Sequence, residues 1–130
     1  MGTFSVTVEL GDPKGARWEP VEMLVDSGAT FTWVPAPILR RLGVVPQEYR
    51  QFEIAGGEVI SRGVAQTWIR YGAQGHITFV VFGDDDSAAL LGAYALEGFL
   101  LGVDPYRERL VPIRALVMSG GVDRGATRNG

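Results

Sequence analysis

The sequence predicts a mainly β domain with two short helices, of the kind that closes into a barrel or a sandwich. Three observations point there. Phe4 to Leu10 alternates apolar and polar residues as FSVTVEL; further apolar runs between 53 and 82 are punctuated by Gly-rich turns; and only two segments, 35–44 and 89–102, carry helical signals.

Taken in order, Phe4, Val6, Val8 and Leu10 fall on one side of a half-buried strand, and GDPKG at 11–15 is a turn cluster. Trp18 to Val25 resumes extended character and runs into Asp26-Ser27-Gly28. After Trp33, PAPILRRLGV reads as a short helix: Pro37 suits its first turn, Arg40 and Arg41 its last, and Gly43 its stop. EIAGGEVISRG at 53–63 reads as a hairpin with Gly56-Gly57 at its tip. Val64–Tyr71 and His76–Phe82 form a second hairpin through GAQG, and DDDS at 84–87 is a polar connection. From Ala89 an apolar run leads into a short helix broken by Gly98, and Tyr106 to Val117 supplies one or two final strands. The polar, Gly-rich stretch 119–130 is expected to be a disordered tail, leaving one domain over 1–118.

A chain of 130 residues is one domain's worth, and 46% hydrophobic with 21% charged residues is ordinary for a soluble globular protein. A net charge of −3 offers no basic field for nucleic acid or an anionic membrane. With no Cys, disulfides and thiolate-metal sites are excluded. No stretch approaches the roughly 20 apolar residues of a membrane span. MGTFSVTVEL lacks the charged and apolar regions of a signal peptide, and Val6 stands where a myristoylation site needs Ser or Thr. A cytoplasmic location is the expectation.

Chemistry concentrates at LVDSGA, 24–29. A carboxylate delivered from the end of a buried strand must be hydrogen-bonded or paired. Gly28 lets the chain turn without a Cβ penalty, so Asp26 either satisfies its own turn or does chemistry. A fainter version, ALLGA at 89–93, stands sixty-four positions after VDSGA at 25–29. It pairs Gly28 with Gly92, Ala29 with Ala93 and Asp26 with Leu90. Each copy precedes a helical segment and a Leu-Gly-Val, at 42–44 and 101–103.

LVDSGA, then a Gly-bearing hairpin IAGGEV, then LLG at 90–92, in that order and spacing, resembles the retropepsin-like (retroviral-type) aspartic proteases. The helix after the Asp turn and VDPYRERL at 103–110 make it similar to the cellular and prokaryotic single-domain members, over roughly Phe4 to Ile113. The resemblance implies a closed β-barrel of the acid-protease type, one half-size domain per chain with an internal pseudo-two-fold repeat. It implies that only the first half carries the aspartate, Leu90 standing in the second, and hence a homodimer pairing Asp26 with its own copy. It implies an aspartic endopeptidase acting on extended peptides, with no cofactor, metal or covalent intermediate and a bell-shaped pH profile on the acid side.

Within that resemblance Asp26 is catalytic, Ser27 bonds backbone across the dimer axis, and Gly28 directs an N–H to the carboxylate. Ala29 completes the loop, and Thr30 either supports it or is a buried structural hydroxyl. Ile54, Ala55, Gly56 and Gly57 form a flap, or an ordinary hairpin turn. Leu90, Leu91 and Gly92 form the second-half loop, and Ile54, Val59 and Leu91 are pocket walls or core. Glu58, beside the flap glycines, is solvated.

Other features carry less. His76, the sole histidine, reads as a surface residue rather than part of a triad. Asp84-Asp85-Asp86 lacks the EF-hand pattern and reads as a solvated loop. Trp18, Trp33 and Trp68 lack interleaved basic residues and read as core or interface. VDRGAT at 122–127 mimics VDSGAT but follows MSGG rather than an apolar strand. The alternative function is a retropepsin-fold dimer that binds peptides or assembles without cutting them.

Overall fold

The computed structural model describes residues 3–114. The expected tail at 119–130 and the VDRGAT mimic lie outside the described residues. Nine strands and two helices follow in the order β1 (Ser5–Gly11), β2 (Trp18–Val25), β3 (Thr32–Pro35), α1 (Ala36–Arg41), β4 (Glu48–Glu53), β5 (Val59–Tyr71), β6 (Gln74–Gly83), β7 (Ala89–Leu91), α2 (Ala93–Gly98), β8 (Leu101–Asp104) and β9 (Arg109–Pro112).

The main sheet runs β1-β2-β7-β3-β6-β5-β4, and a further β1–β5 pairing closes six of its strands into a barrel. β4 stays outside, hanging on β5 alone through Glu48↔Val64 to Glu53↔Val59. β5 can serve three neighbours because it is thirteen residues long. Closure removes the sheet edges that would otherwise template aggregation and leaves β4 as the exposed one.

Alternation in β1 puts Val8 and Leu10 inside at 1% and 0% exposure, beside Met23, Val34, Leu39, Ile69, Val80, Leu91 and Phe99. Each fully buried aliphatic or aromatic side chain contributes about 1.5–3 kcal/mol. That burial also holds the helices, which at six residues each are far too short to persist alone. The turn between β1 and β2 is built by Asp12, whose carboxylate accepts the Ala16 and Arg17 N–H groups at 2.7 and 2.8 Å. Those hydrogen bonds, Arg17's foremost, hold the Asp12 carboxyl below the usual carboxylate value.

The strand registers reveal the internal repeat. β3 and β7 cross antiparallel at Trp33↔Leu90. Parallel pairs flank that crossing: β2 on β7 with Leu24↔Leu90, and β3 on β6 with Trp33↔Val81. A constant separation of 57 positions therefore relates Leu24 to Val81, Trp33 to Leu90, and α1 to α2. It continues past the helices, where Gly43 at φ 75° corresponds to Leu100 at φ 55°. This corrects the sixty-four-residue offset suggested by VDSGA and ALLGA. The counterpart of Asp26 is Gly83, and Leu90 is the counterpart of Trp33.

Two strands depart from the sequence expectation. β4 carries the first arm of the 53–63 hairpin back to Glu48, an extension not expected because five of the strand's six residues are exposed and no buried alternation marks it. Among the described residues the last two strands begin earlier than Tyr106: β8 occupies 101–104, Tyr106 sits in the turn to β9, and the 115–117 end of the expected strand region lies outside the described residues.

Candidate active site

β2 carries Asp26 to the barrel's end because Met23 and Val25 are anchored inside, at 0% and 7% exposure. The Asp26 N–H donates to the Leu91 carbonyl at 3.0 Å, continuing the β2–β7 pairing one residue beyond the strand. The chain then turns: the Ala29 N–H donates to the Asp26 carbonyl at 3.1 Å, and the Gly28 N–H to Asp26 Oδ1 at 3.0 Å. One carboxylate oxygen is thus fixed by the turn's own backbone. A Cβ on Gly28 would lie 3.3 Å from that same oxygen, tight enough to disturb it.

The second half of the repeat clamps this loop. Ala93 N–H donates to the Ala29 carbonyl at 2.7 Å, and Tyr94 N–H to the Thr30 carbonyl at 3.0 Å. Gly92 N–H donates to the buried Thr32 Oγ1 at 3.1 Å. Gly92 has no room for a side chain, since a Cβ would meet the Ala29 carbonyl oxygen at 2.9 Å and the Phe31 carbonyl closer still. LLG is therefore the seat of the Asp loop. Leu90 lines the cleft, whereas Leu91 is completely buried in the core and does not line it.

A cleft of about 970 Å³ opens over Asp26. Gly28, Ala29, Thr30 and Leu90 line it, and Arg50 to Ala55 contribute a continuous stretch of its wall. That wall is β4 and the start of its loop to β5, where Gly57 N–H donates to the Ile54 carbonyl at 2.9 Å and Ile54 N–H to the Glu58 carbonyl at 2.8 Å. Gly56 and Gly57 take φ values of 94° and 89°, a left-handed pair that glycine adopts without penalty. They form the tip but do not line the cleft, and a Cβ added to either would meet nothing within 4 Å. Val59, 56% exposed, lies outside the cleft, and Glu58 is exposed as expected.

Thr30 also lines the cleft with its side chain exposed, which removes the alternative of a buried structural hydroxyl. Ser27 is exposed on the loop's other flank. There it shares a small pocket of about 150 Å³ with Phe4, Val103 and Pro105, so the end of β8 abuts the Asp turn. Asp104 braces that end by accepting the Tyr106 and Arg107 N–H groups. The Arg107 bond leads in holding the Asp104 carboxyl below its usual value.

The aromatic lining escaped the sequence reading. Phe31 stacks on Phe79 at 4.9 Å between centroids, Trp33 meets Phe52 edge-on at 5.1 Å, and Phe31 reaches Phe52 at 6.4 Å. Arg50 lies over the Phe31 and Phe79 rings. The period-two spacing of Arg50, Phe52 and Ile54 was the available signal. His76 also departs from expectation: it is half-buried, its Nε2 lies 3.1 Å from the Ala95 carbonyl, and its ring packs against Phe99 at 4.5 Å, fastening α2. Among the described residues no three metal-ligating side chains are grouped to hold an ion, and no helix is long and apolar enough to cross a membrane.

A six-strand barrel with a parallel-antiparallel crossing at its centre, an Asp turn at its end and a hairpin over the resulting cleft defines the retropepsin-like fold. A family model described as "gag-polyprotein putative aspartyl protease" matches residues 17–98, and the chain belongs to that family. Three solved structures share the fold. The retropepsin-like aspartic protease of Rickettsia conorii is 17% identical with a TM-score of 0.57, covering 80% of this chain and 78% of that one. The protease of Simian Foamy Virus (mac) is 19% identical with a TM-score of 0.52, covering 74% and 94%. The retroviral protease-like domain of Ddi1 from Leishmania major is 16% identical with a TM-score of 0.52, covering 83% and 87%. No curated protein matches the chain in sequence.

Proposed function

We propose that the protein is an aspartic endopeptidase whose active site forms between two copies of the chain. The observation that carries this is the half-complete site. Asp26 is oriented by Gly28 beneath a peptide-sized cleft, and its counterpart in the repeat is Gly83, with no acid. Peptide hydrolysis of this type needs one group to take a proton from water and another to give one to the scissile carbonyl. A two-fold axis beside the Asp turn supplies the second group as Asp26 of the partner.

Two carboxylates held within about 3 Å share a single proton. The ionised one takes a proton from the water between them, which attacks the peptide carbonyl. The protonated one donates to the carbonyl oxygen as the tetrahedral intermediate forms. Gly28 N–H holds each carboxylate while its charge changes, and Ser27, exposed toward the reverse flank, bonds to the partner's loop. The hairpin at 54–58 closes over the substrate and excludes water, its glycine pair giving the tip freedom to move. An extended peptide lies along the cleft as an added strand, its alternate side chains meeting Phe31, Phe52 and Leu90.

The test is Asp26→Asn assayed on unstructured peptides, with the fold and dimer checked by circular dichroism and sedimentation. Cleavage should vanish while the folded dimer persists. Cleavage at an undiminished rate refutes the reading. Tight peptide binding without turnover by the unaltered protein favours the alternative of a peptide-binding module.

A further inference from the structure

We infer that Arg50 is a specificity-determining residue that selects peptides carrying an acidic side chain next to the apolar residue occupying the cleft. The inference rests on the cleft being a peptide-binding site, though not on its being hydrolytic. Among the described residues lining the cleft, Arg50 is the one cation. It alternates along the chain with Phe52 in β4 and with Ile54 just past the strand's end, so the wall presents an apolar patch followed, one strand step away, by a positive charge.

The guanidinium is held rather than waving. Its carbon sits 5.5 Å from the Phe31 ring centre and 5.8 Å from that of Phe79, a cation–π seat provided by two stacked rings. Its ion pair is with Glu48, two residues back on the same strand, at 2.9 Å with side chains 43% and 48% exposed. Exposed pairs of this kind hold weakly, and a planar fork with five donors has capacity for a second carboxylate. An acidic substrate side chain brought beside it in the partly desolvated cleft gains charge-assisted, bidentate hydrogen bonds. The chain's net charge of −3 works the other way at long range, favouring basic peptides. A preference for acid would therefore be a local effect of Arg50. In a homodimer each chain contributes one Arg50, the two related by the two-fold axis, so the preferred peptide carries acids on both sides of its apolar centre.

The experiment uses the full chain and three labelled peptides that share an aromatic-aliphatic centre, flanked by Glu, Gln or Lys. Binding is measured by fluorescence anisotropy in the Asp26→Asn background. The Glu peptide should bind about tenfold more tightly than the Lys peptide, with Gln between. Adding Arg50→Glu should invert that order, and Arg50→Lys should keep it with a smaller ratio. A Glu-to-Lys ratio unmoved by Arg50→Glu overturns the inference, as does failure of all three peptides to bind. Cleavage of the Gln peptide by the unaltered protein is followed in parallel. An intact binding order without Asp26-dependent cleavage refutes hydrolysis and leaves the role of Arg50 standing.

Discussion

Replacing Gly92 with Ala isolates the contact that seats the Asp loop. Gly92 has φ −91° and ψ 175°, a conformation open to any residue, so alanine costs nothing in backbone strain. The whole penalty is steric. The new Cβ would lie 2.9 Å from the Ala29 carbonyl oxygen and closer to that of Phe31, and neither is a side chain that can rotate away. Ala29 is itself held by Ala93 at 2.7 Å, so relief must move the Asp26 loop or α2 as a unit. Overpacking against fixed backbone costs about 3 kcal/mol. For a chain of this length that lowers Tm by about 10 °C. Gly57→Ala is the matching control, because its φ of 89° is strained for alanine while the new Cβ would meet nothing within 4 Å. It should cost about 1–2 kcal/mol and leave the Asp loop untouched. Thermal unfolding gives both values, and amide exchange at Gly28 and Ala29 reports the loop. A Gly92→Ala protein within about 2 °C of the parent, with unchanged exchange, would refute the close approach.

Two further outcomes concern stability. Thr78 is 1% exposed and its Oγ1 has no hydrogen-bond partner among the described residues, so Thr78→Val should stabilise by about 1 kcal/mol, read as a higher denaturant midpoint at unchanged slope. The carboxyls of Asp12 and Asp104 are both held below their ordinary value of 3.8, chiefly by backbone N–H groups. A lowered folded pKa means that their stabilisation is complete above the ordinary value and is lost as pH falls through the lower folded one. Acid unfolding should therefore steepen below about pH 4, and Asp12→Asn should flatten that limb in a pH series of melts.

How much of this was legible in the sequence depended on whether the signal was local. The Asp turn, the Gly56-Gly57 tip and α1 were readable because their signals are local: Gly28, the glycine pair and Gly43 permit the turns they sit in, and Pro37 fixes its own φ. β4 upstream of Glu53 was not, since an edge strand outside the barrel buries almost nothing and so shows no alternation. The cleft wall made by Arg50 and Phe52 was hidden with it. The repeat was sensed but misaligned. Residues 23–36 and 80–93 share backbone pairing and only one identical residue, Ala36 with Ala93, so only strand register sets the 57-position offset. His76 looked like a surface residue because its partner, α2, lies nineteen positions away.

The central claim is that one site needs an Asp26 from each of two chains. Its most direct measurement is peptide turnover in mixtures of unaltered and Asp26→Asn protein, fully exchanged at fixed total concentration. If both carboxylates are required, only dimers of two unaltered chains cut, and an equimolar mixture retains about one quarter of the activity. Activity that falls linearly, to about one half in that mixture, would show each chain cutting alone and contradict the account.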